Sequence, residues 1–125
     1  MNNTFHPQSA DFSIRPACIE DCEIILTFIR ELAEYEKLLH EVKADISSLE
    51  ITLFGDKPYA EVIIADFQGE AVGFALFFHN YSTFLGKPGL YLEDLYIRPA
   101  MRGRGFGKSL LAYLASIALS RDCGR

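Results

Sequence analysis

Glycine occupies every second position in seven consecutive residues, Arg102-Gly103-Arg104-Gly105-Phe106-Gly107-Lys108, and three of the other four residues are basic, a pattern that suits anion binding. The three glycines let the backbone approach a ligand closely, because no Cβ blocks the way. The preceding residues predict a strand and the following ones an apolar helix, whose free N–H groups and positive dipole end face the same spot. Diphosphate is the anion that such a strand–loop–helix most often binds.

Two well-known phosphate motifs do not fit this loop. A P-loop requires glycine five positions before Gly107-Lys108-Ser109, but that position holds Arg102, and Gly103 is one residue too close. The dinucleotide fingerprint requires G-x-G-x-x-G, whereas this loop reads G-x-G-x-G. Both motifs are therefore excluded by their spacing.

The charge of the chain indicates a small anion. The 125 residues carry a formal net charge of -5, yet Arg98 and the three basic residues of the loop lie together, with no carboxylate between Ile97 and Leu119. A nucleic acid would need a wider basic surface. The alternative is a glycine-rich turn with solvated arginines.

The spacing R-x-x-G-x-G, which begins at Arg102, resembles the acyl-CoA pyrophosphate loop of the GNAT superfamily of N-acetyltransferases. Other segments resemble the spermidine/spermine (diamine) acetyltransferase branch of that superfamily. They are residues 12–17, 31–36, 73–78, 86–87 and 90–94. The resemblance runs in order from about Phe12 to the last residue.

The resemblance implies acetyl-CoA as co-substrate and assigns residues to it. In the superfamily, pantetheine lies against the strand before the loop, which implies backbone contacts from Leu95, Tyr96 and Ile97. The residues it implies around the pyrophosphate are Arg102, Gly103, Arg104, Gly105, Phe106, Gly107 and Lys108. Leu95 and Ile97 also fit alternate positions of a core strand, and both roles are compatible.

The resemblance assigns mainly carboxylate residues to binding of the acceptor amine. Glu93 matches an acidic residue of the superfamily, which implies substrate binding and general-base catalysis, because an alkyl ammonium with a pKa of about 10.4 must lose a proton. Asp94 would face the opposite side unless the strand bulges. Tyr35 and Glu36 match polyamine-contacting residues. As alternatives, Glu93 or Asp94 is a solvated strand residue, and Glu36 belongs to a solvated helix face.

The function implied is transfer of the acetyl group of acetyl-CoA to a primary amine of a small cationic substrate, of diamine or polyamine type, by direct attack. The alternatives are another acceptor (thialysine, a protein amine or a drug-like amine) or a non-catalytic CoA-binding or dimerisation module. The superfamily also implies a homodimer. Its general-acid tyrosine follows the glycine-loop helix, so we expect this chain to lack that tyrosine, the C-terminal part of the fold and much of the activity.

Length and composition predict a single domain over residues 1–125, in the cytoplasm, with neither nucleic acid nor membrane as partner. The chain is 50% hydrophobic and 23% charged, with apolar runs too short to span a bilayer and no signal peptide. Its three cysteines lack C-x-x-C spacing, which predicts free thiols and no metal site. Cys18 and Cys22, four apart, are expected on one helix face.

The spacing of apolar residues, and the glycines and prolines that interrupt it, predict the strands and helices that position these residues, in the order β-α-α-β-β-β-α. We expect strands at 11–15, 59–67, 71–79 and 89–98, helices at 19–39, 45–54 and from Ser109, a turn at 68–70 and a loop at 81–89, with Asp45 as N-cap and Gly124 as a helix-ending glycine. This order predicts an α/β (α+β) domain with helices on both faces of a sheet. The resemblance adds that the sheet is mixed, mostly antiparallel and of GNAT type.

Overall fold

A computed structural model describes residues 11–125, which form strands and helices in the predicted order. The elements are β1 (Phe12–Pro16), α1 (Cys22–Tyr35), α2 (Ile46–Phe54), β2 (Glu61–Phe67), β3 (Glu70–Ser82), β4 (Lys87–Ile97) and α3 (Phe106–Ser120). A short 3-10 turn precedes each helix.

The sheet has the order β1-β2-β3-β4, and its described pairings are all antiparallel. The predicted turn between β2 and β3 is confirmed: Gln68 and Gly69 both have positive φ, at 53° and 81°, as a two-residue hairpin loop requires. The end of the chain lies beside the start of β4, where the Gly124 N–H donates to Pro88 O at 2.8 Å. The parallel component of the expected mixed sheet is not found within residues 11–125.

Helices cover both faces of the sheet, as predicted, and divide the core in two. On one face α3 packs against the sheet through Phe106, Leu110 and Leu114. On the other face α1 and α2 pack on the strands, with Phe28 of α1 against Phe74 of β3. The end of β4 contributes to both halves of the core, because Ile97 faces α3 and Tyr96 faces α1.

Helix α2 begins where the sequence predicts. The Asp45 carboxylate accepts a hydrogen bond from the Ser48 N–H at 2.8 Å, and the Ser48 hydroxyl accepts one from the Asp45 N–H at 3.0 Å. These reciprocal bonds satisfy N–H groups that the helix itself leaves unpaired. The helix then buries Leu49 and Leu53 against the sheet.

Helix α3 begins earlier than predicted, at Phe106 rather than Ser109. Gly105 is its N-cap, with φ 82°. Phe106 is buried and stacks on Phe12, with ring centroids 4.1 Å apart, so an aromatic contact anchors the first turn. The sequence pattern missed this start because Gly107 and Lys108 interrupt the apolar periodicity.

Two predicted boundaries near the end of the chain are also wrong. The loop predicted at 81–89 comprises only residues 83–86 in the structure, because β3 and β4 remain paired as far as Ser82 and Lys87. Helix α3 ends at Ser120, and Asp122, with φ 55°, adopts the left-handed conformation that we had expected at Gly124.

Helix α1 is shorter than predicted. Beyond Tyr35 the chain turns through Lys37, with φ 61°, while the Leu38 N–H donates to Ala33 O at 2.7 Å, which is the pattern of a Schellman C-cap. Cys18 precedes the helix and is exposed, whereas Cys22 is buried, so the prediction that they share one helix face is wrong.

Candidate functional site

The glycine loop folds into an open cradle before α3. Gly103 and Gly105 have φ of 83° and 82°, a region that costs residues with a Cβ about 1–2 kcal/mol. Because the cap residue Gly105 has no side chain, it cannot cap the first N–H groups of α3. Those N–H groups and the positive end of the helix dipole are left to a ligand at the loop.

The space above the three loop glycines is open. A Cβ added at Gly103, Gly105 or Gly107 would meet no protein atom within 4 Å. Gly107 also has no positive φ and lies inside the first turn of α3, so the fold itself does not require glycine at that position. A bound anion that approaches the backbone closely would explain this glycine.

A cavity of about 660 Å³ joins the loop to the end of β4 and to α1. Its lining residues are Leu32, Tyr35, Leu95, Tyr96, Ile97, Met101, Arg102, Gly103, Gly105, Phe106, Gly107 and Lys108. The structure thus brings together every predicted donor-site residue except Arg104, whose guanidinium lies over the Phe67 ring at 5.3 Å. Sequence reasoning had missed Met101, and had placed Leu32 only in the core.

Strand β4 contains a bulge at the predicted acceptor residues. Asp94 is opposite Leu76 and Leu92 is opposite Phe77, which leaves Glu93 as the extra residue of β4. A bulge of this kind disturbs the strict alternation of side chains, so Glu93 and Asp94 need not face opposite sides. Glu93 is exposed, whereas Asp94 is half-buried on the α1 side, within the electrostatic reach of Glu36.

The sequence profile of the Acetyltransferase (GNAT) family matches residues 25–125 of the chain. The chain belongs to the GNAT family. It is 38% identical over 124 residues to thialysine N-epsilon-acetyltransferase of Mus musculus, an alignment that covers 93% of this chain and 72% of the relative. It is 36% identical over 119 residues to spermidine/spermine N(1)-acetyltransferase-like protein 1 of Homo sapiens, covering 90% of this chain and 17% of the relative.

Solved structures of the family share the fold of this GNAT chain. One is ribosomal-protein-alanine N-acetyltransferase from Brucella melitensis biovar Abortus 2308, with a TM-score of 0.75, 23% identity, and coverage of 90% of this chain and 75% of that one. The GNAT family uses acetyl-CoA as co-substrate, so this chain is of the acetyl-CoA-dependent N-acetyltransferase type.

In this GNAT chain Arg102 connects the glycine loop to α1. Its Nε donates to Ile97 O at 2.9 Å. Its guanidinium lies over two rings, 5.2 Å from the centroid of Tyr35 and 5.8 Å from that of Tyr96. The predicted donor residue Arg102 and the predicted acceptor residue Tyr35 are therefore in contact across the cavity.

Glu31 forms a paired cluster under the same end of β4, which the sequence did not indicate. Its carboxylate accepts hydrogen bonds from Tyr96 Oη at 2.8 Å and from Arg98 Nε and Nη2 at 3.2 and 3.1 Å. Burial opposes its ionisation, but the hydrogen bonds from Arg98 and Tyr96 outweigh burial and hold the pKa of Glu31 below its ordinary value. Because Glu31 neutralises Arg98, the basic group that we had inferred is reduced to the loop itself.

Asp94 lies in the opposite electrostatic situation. Burial raises its pKa, and the negative charges of Glu93 and Glu36 raise it further. Asp94 is therefore protonated more readily than an ordinary aspartate.

Neither a metal-ion cluster nor a membrane-spanning helix is found among residues 11–125. Over residues 11–125, no three histidine, cysteine, aspartate or glutamate side chains are grouped so that they could hold a metal ion. None of the helices α1 to α3 has both the length and the apolar character needed to cross a bilayer.

Proposed function

We propose that this GNAT chain transfers the acetyl group of acetyl-CoA to a primary amine of a small cationic acceptor, of diamine or polyamine type. The observation that carries this proposal is the placement of two features at β4: an open glycine cradle at Gly103–Gly107, which follows the end of the strand, and the carboxylates Glu93 and Asp94 at its bulge, with Glu36 nearby. The acidic side attracts a cation and the basic loop attracts an anion.

The donor half of the proposal uses main-chain groups. The backbone of Leu95, Tyr96 and Ile97 would bind the pantetheine arm. The N–H groups at the start of α3, with Arg102, Arg104 and Lys108 around them, would bind the diphosphate. The open space at the three glycines and the lining of the 660 Å³ cavity support these roles.

The acceptor half uses carboxylates to remove a proton. The bound amine must become neutral before it attacks, so Glu93, the predicted base, would accept its proton directly or through water. Asp94, whose pKa is raised, is a second acceptor for that proton. The amine nitrogen then bonds to the thioester carbonyl carbon and the C–S bond breaks. The nitrogen loses a second proton, which passes through water to the departing CoA thiolate, so that the products are the amide and the CoA thiol. None of the residues that line the cavity is cysteine, which favours direct attack without an acyl-enzyme.

Two classes of acceptor follow from the residues at the end of α1 and from the relatives of the chain. Tyr35 and Glu36 would contact the acceptor at the end of α1. The similarity to enzymes named for thialysine favours a second candidate, an amino acid with a terminal side-chain amine. A homodimer is also proposed, on the resemblance to the superfamily, and sedimentation equilibrium tests it.

The first experiment is a calorimetric titration of the protein with acetyl-CoA. We expect saturable binding that Gly105→Glu abolishes, because the new side chain would fill the cradle with bulk and negative charge. Gly69→Glu is the matched control: its φ of 81° and open surroundings equal those of Gly105, but it lies in the β2–β3 turn. Loss of binding in both variants, or retention in Gly105→Glu, would contradict the assigned donor site.

A further inference from the structure

An aromatic pair lies on the hairpin of β3 and β4, outside the roles described so far. Phe78 and Tyr91 are direct cross-strand partners. Their ring centroids are 5.0 Å apart with a tilt of 33°. Tyr91 is 48% exposed, so this pair is available to a ligand. We call it the aromatic platform.

The aromatic platform lies on the same face of the sheet as Asp94. In the register of β3 and β4, Leu76 opposite Asp94 is followed two residues later on β3 by Phe78 opposite Tyr91. Alternate residues of a strand share a face, and two residues of strand rise span about 7 Å. A ligand group held at Asp94 therefore has the aromatic platform about 7 Å away along the sheet.

The hairpin around the platform contains no negative charge. Between Glu70 and Glu93 the sequence has no aspartate or glutamate. Glu61 of β2 is the register partner of Phe77, whose side chain lies in the α3-side core, and its carboxylate binds Arg121 at 2.6 and 2.9 Å, so it does not face the aromatic platform. A cation that extends from Asp94 along this face thus meets aromatic rings instead of a free carboxylate.

We infer that the aromatic platform binds the second cationic group of the acceptor by cation–π interaction, while the reacting nitrogen lies at Asp94 and Glu93. This inference rests on the proposed function and adds that the enzyme selects acceptors by the distance between their two nitrogens. The acceptor class is a dication whose two nitrogens are about 7 Å apart, the span between the bulge and the platform. Shorter diamines would not reach the rings.

The test is an NMR titration of the protein with a homologous series of α,ω-diamines and with n-alkylamines of matched length. It measures binding and does not depend on turnover. We expect the diamine that spans about 7 Å to bind two- to fivefold more tightly than its monoamine, with shifts at Tyr91 and Asp94. Tyr91→Phe, which keeps the ring face, retains this preference, and Tyr91→Leu removes it without changing monoamine affinity.

Two results would overturn the inference. One is a diamine preference that Tyr91→Leu leaves intact but Glu36→Gln abolishes, which would assign the second cation to a carboxylate. The other is equal affinity for monoamines and diamines. If no amine shifts the Asp94 resonance at all, the proposed acceptor site fails as well, and the acetyl-CoA titration then judges the donor site separately. Circular dichroism of both Tyr91 variants, at a half-exposed position, verifies that they are folded.

Discussion

The two halves of the site are built in different ways. The proposed donor half lies within one stretch, residues 95–108, and would use mainly main-chain groups, two glycines with positive φ and one helix start. The proposed acceptor half would be assembled from the end of α1, the bulge of β4 and the aromatic platform, whose residues are far apart in sequence. Main-chain chemistry needs only a local conformation, whereas the behaviour of a carboxylate depends on every charge and surface packed around it.

Two carboxylates on the α1 side of the sheet show that dependence. Glu31 is bound by Arg98 and Tyr96, and its pKa is lowered. Asp94 has burial and the like charges of Glu93 and Glu36 around it, and its pKa is raised. The surroundings of Glu31 therefore favour its ionised form, and those of Asp94 favour its protonated form.

The largest effect on acetyl transfer is expected from substitutions in the proposed acceptor half alone. Glu93→Gln and Asp94→Asn each remove a proposed proton acceptor, and we expect acetyl transfer to fall by about a hundredfold in whichever variant loses the base. Acetyl-CoA affinity should be unchanged, because the donor half uses backbone groups. Steady-state kinetics with a diamine, beside calorimetry with acetyl-CoA, measure the two separately. Equal activity of both variants and wild type would remove the general-base assignment.

Breaking the donor half alone should have an intermediate effect. We expect Gly107→Ala to weaken acetyl-CoA binding about tenfold, or about 1.4 kcal/mol, because its methyl group enters the space assigned to the diphosphate. The melting temperature should be unchanged or higher, because the new Cβ meets no protein atom and alanine favours a helix. Calorimetry and thermal denaturation test the two expectations. Undiminished affinity would show that the diphosphate does not approach Gly107.

The smallest expected effect concerns stability, and it tests the electrostatic difference between Glu31 and Asp94. A carboxylate with a lowered pKa stabilises the fold above its unfolded pKa, about 4.3 for glutamate, and this contribution is lost as pH falls through the folded value. We expect Glu31→Gln to lower the free energy of unfolding by about 1 kcal/mol at pH 7, after allowance for solvent at this partly exposed pair. Glutamine keeps the shape and one acceptor, so the difference reports the charge.

Asp94→Asn should have the opposite sign in the same assay. Because the pKa of Asp94 is raised, its ionisation in the folded state opposes folding at neutral pH, and that penalty disappears as pH falls through the folded value. The asparagine variant should therefore be more stable than wild type at pH 7 and equal to it in acid. Urea denaturation at several pH values measures both variants. The same sign for Glu31→Gln and Asp94→Asn would contradict the electrostatic contrast.

What the sequence determined by itself is local. The glycine loop, the Asp45 cap of α2 and the Gln68–Gly69 turn were all predicted, because each depends on the conformational preferences of a few neighbouring residues. The boundaries of α3 and of the β3–β4 hairpin were not, because the Phe106–Phe12 contact and continued strand pairing extend these elements beyond their local signals.

The geometry of the proposed acceptor half depends on contacts between distant parts of the chain. Strand alternation predicts that Asp94 faces away from Glu93 unless β4 bulges. Whether it bulges is determined by the register of β4 against β3. Sequence position likewise places Arg98 in the basic group, but in the structure the carboxylate of Glu31, on α1, neutralises it. The physical reason is the same in both cases: register and ion pairing are settled by partners that lie far along the chain and meet only when the core is packed.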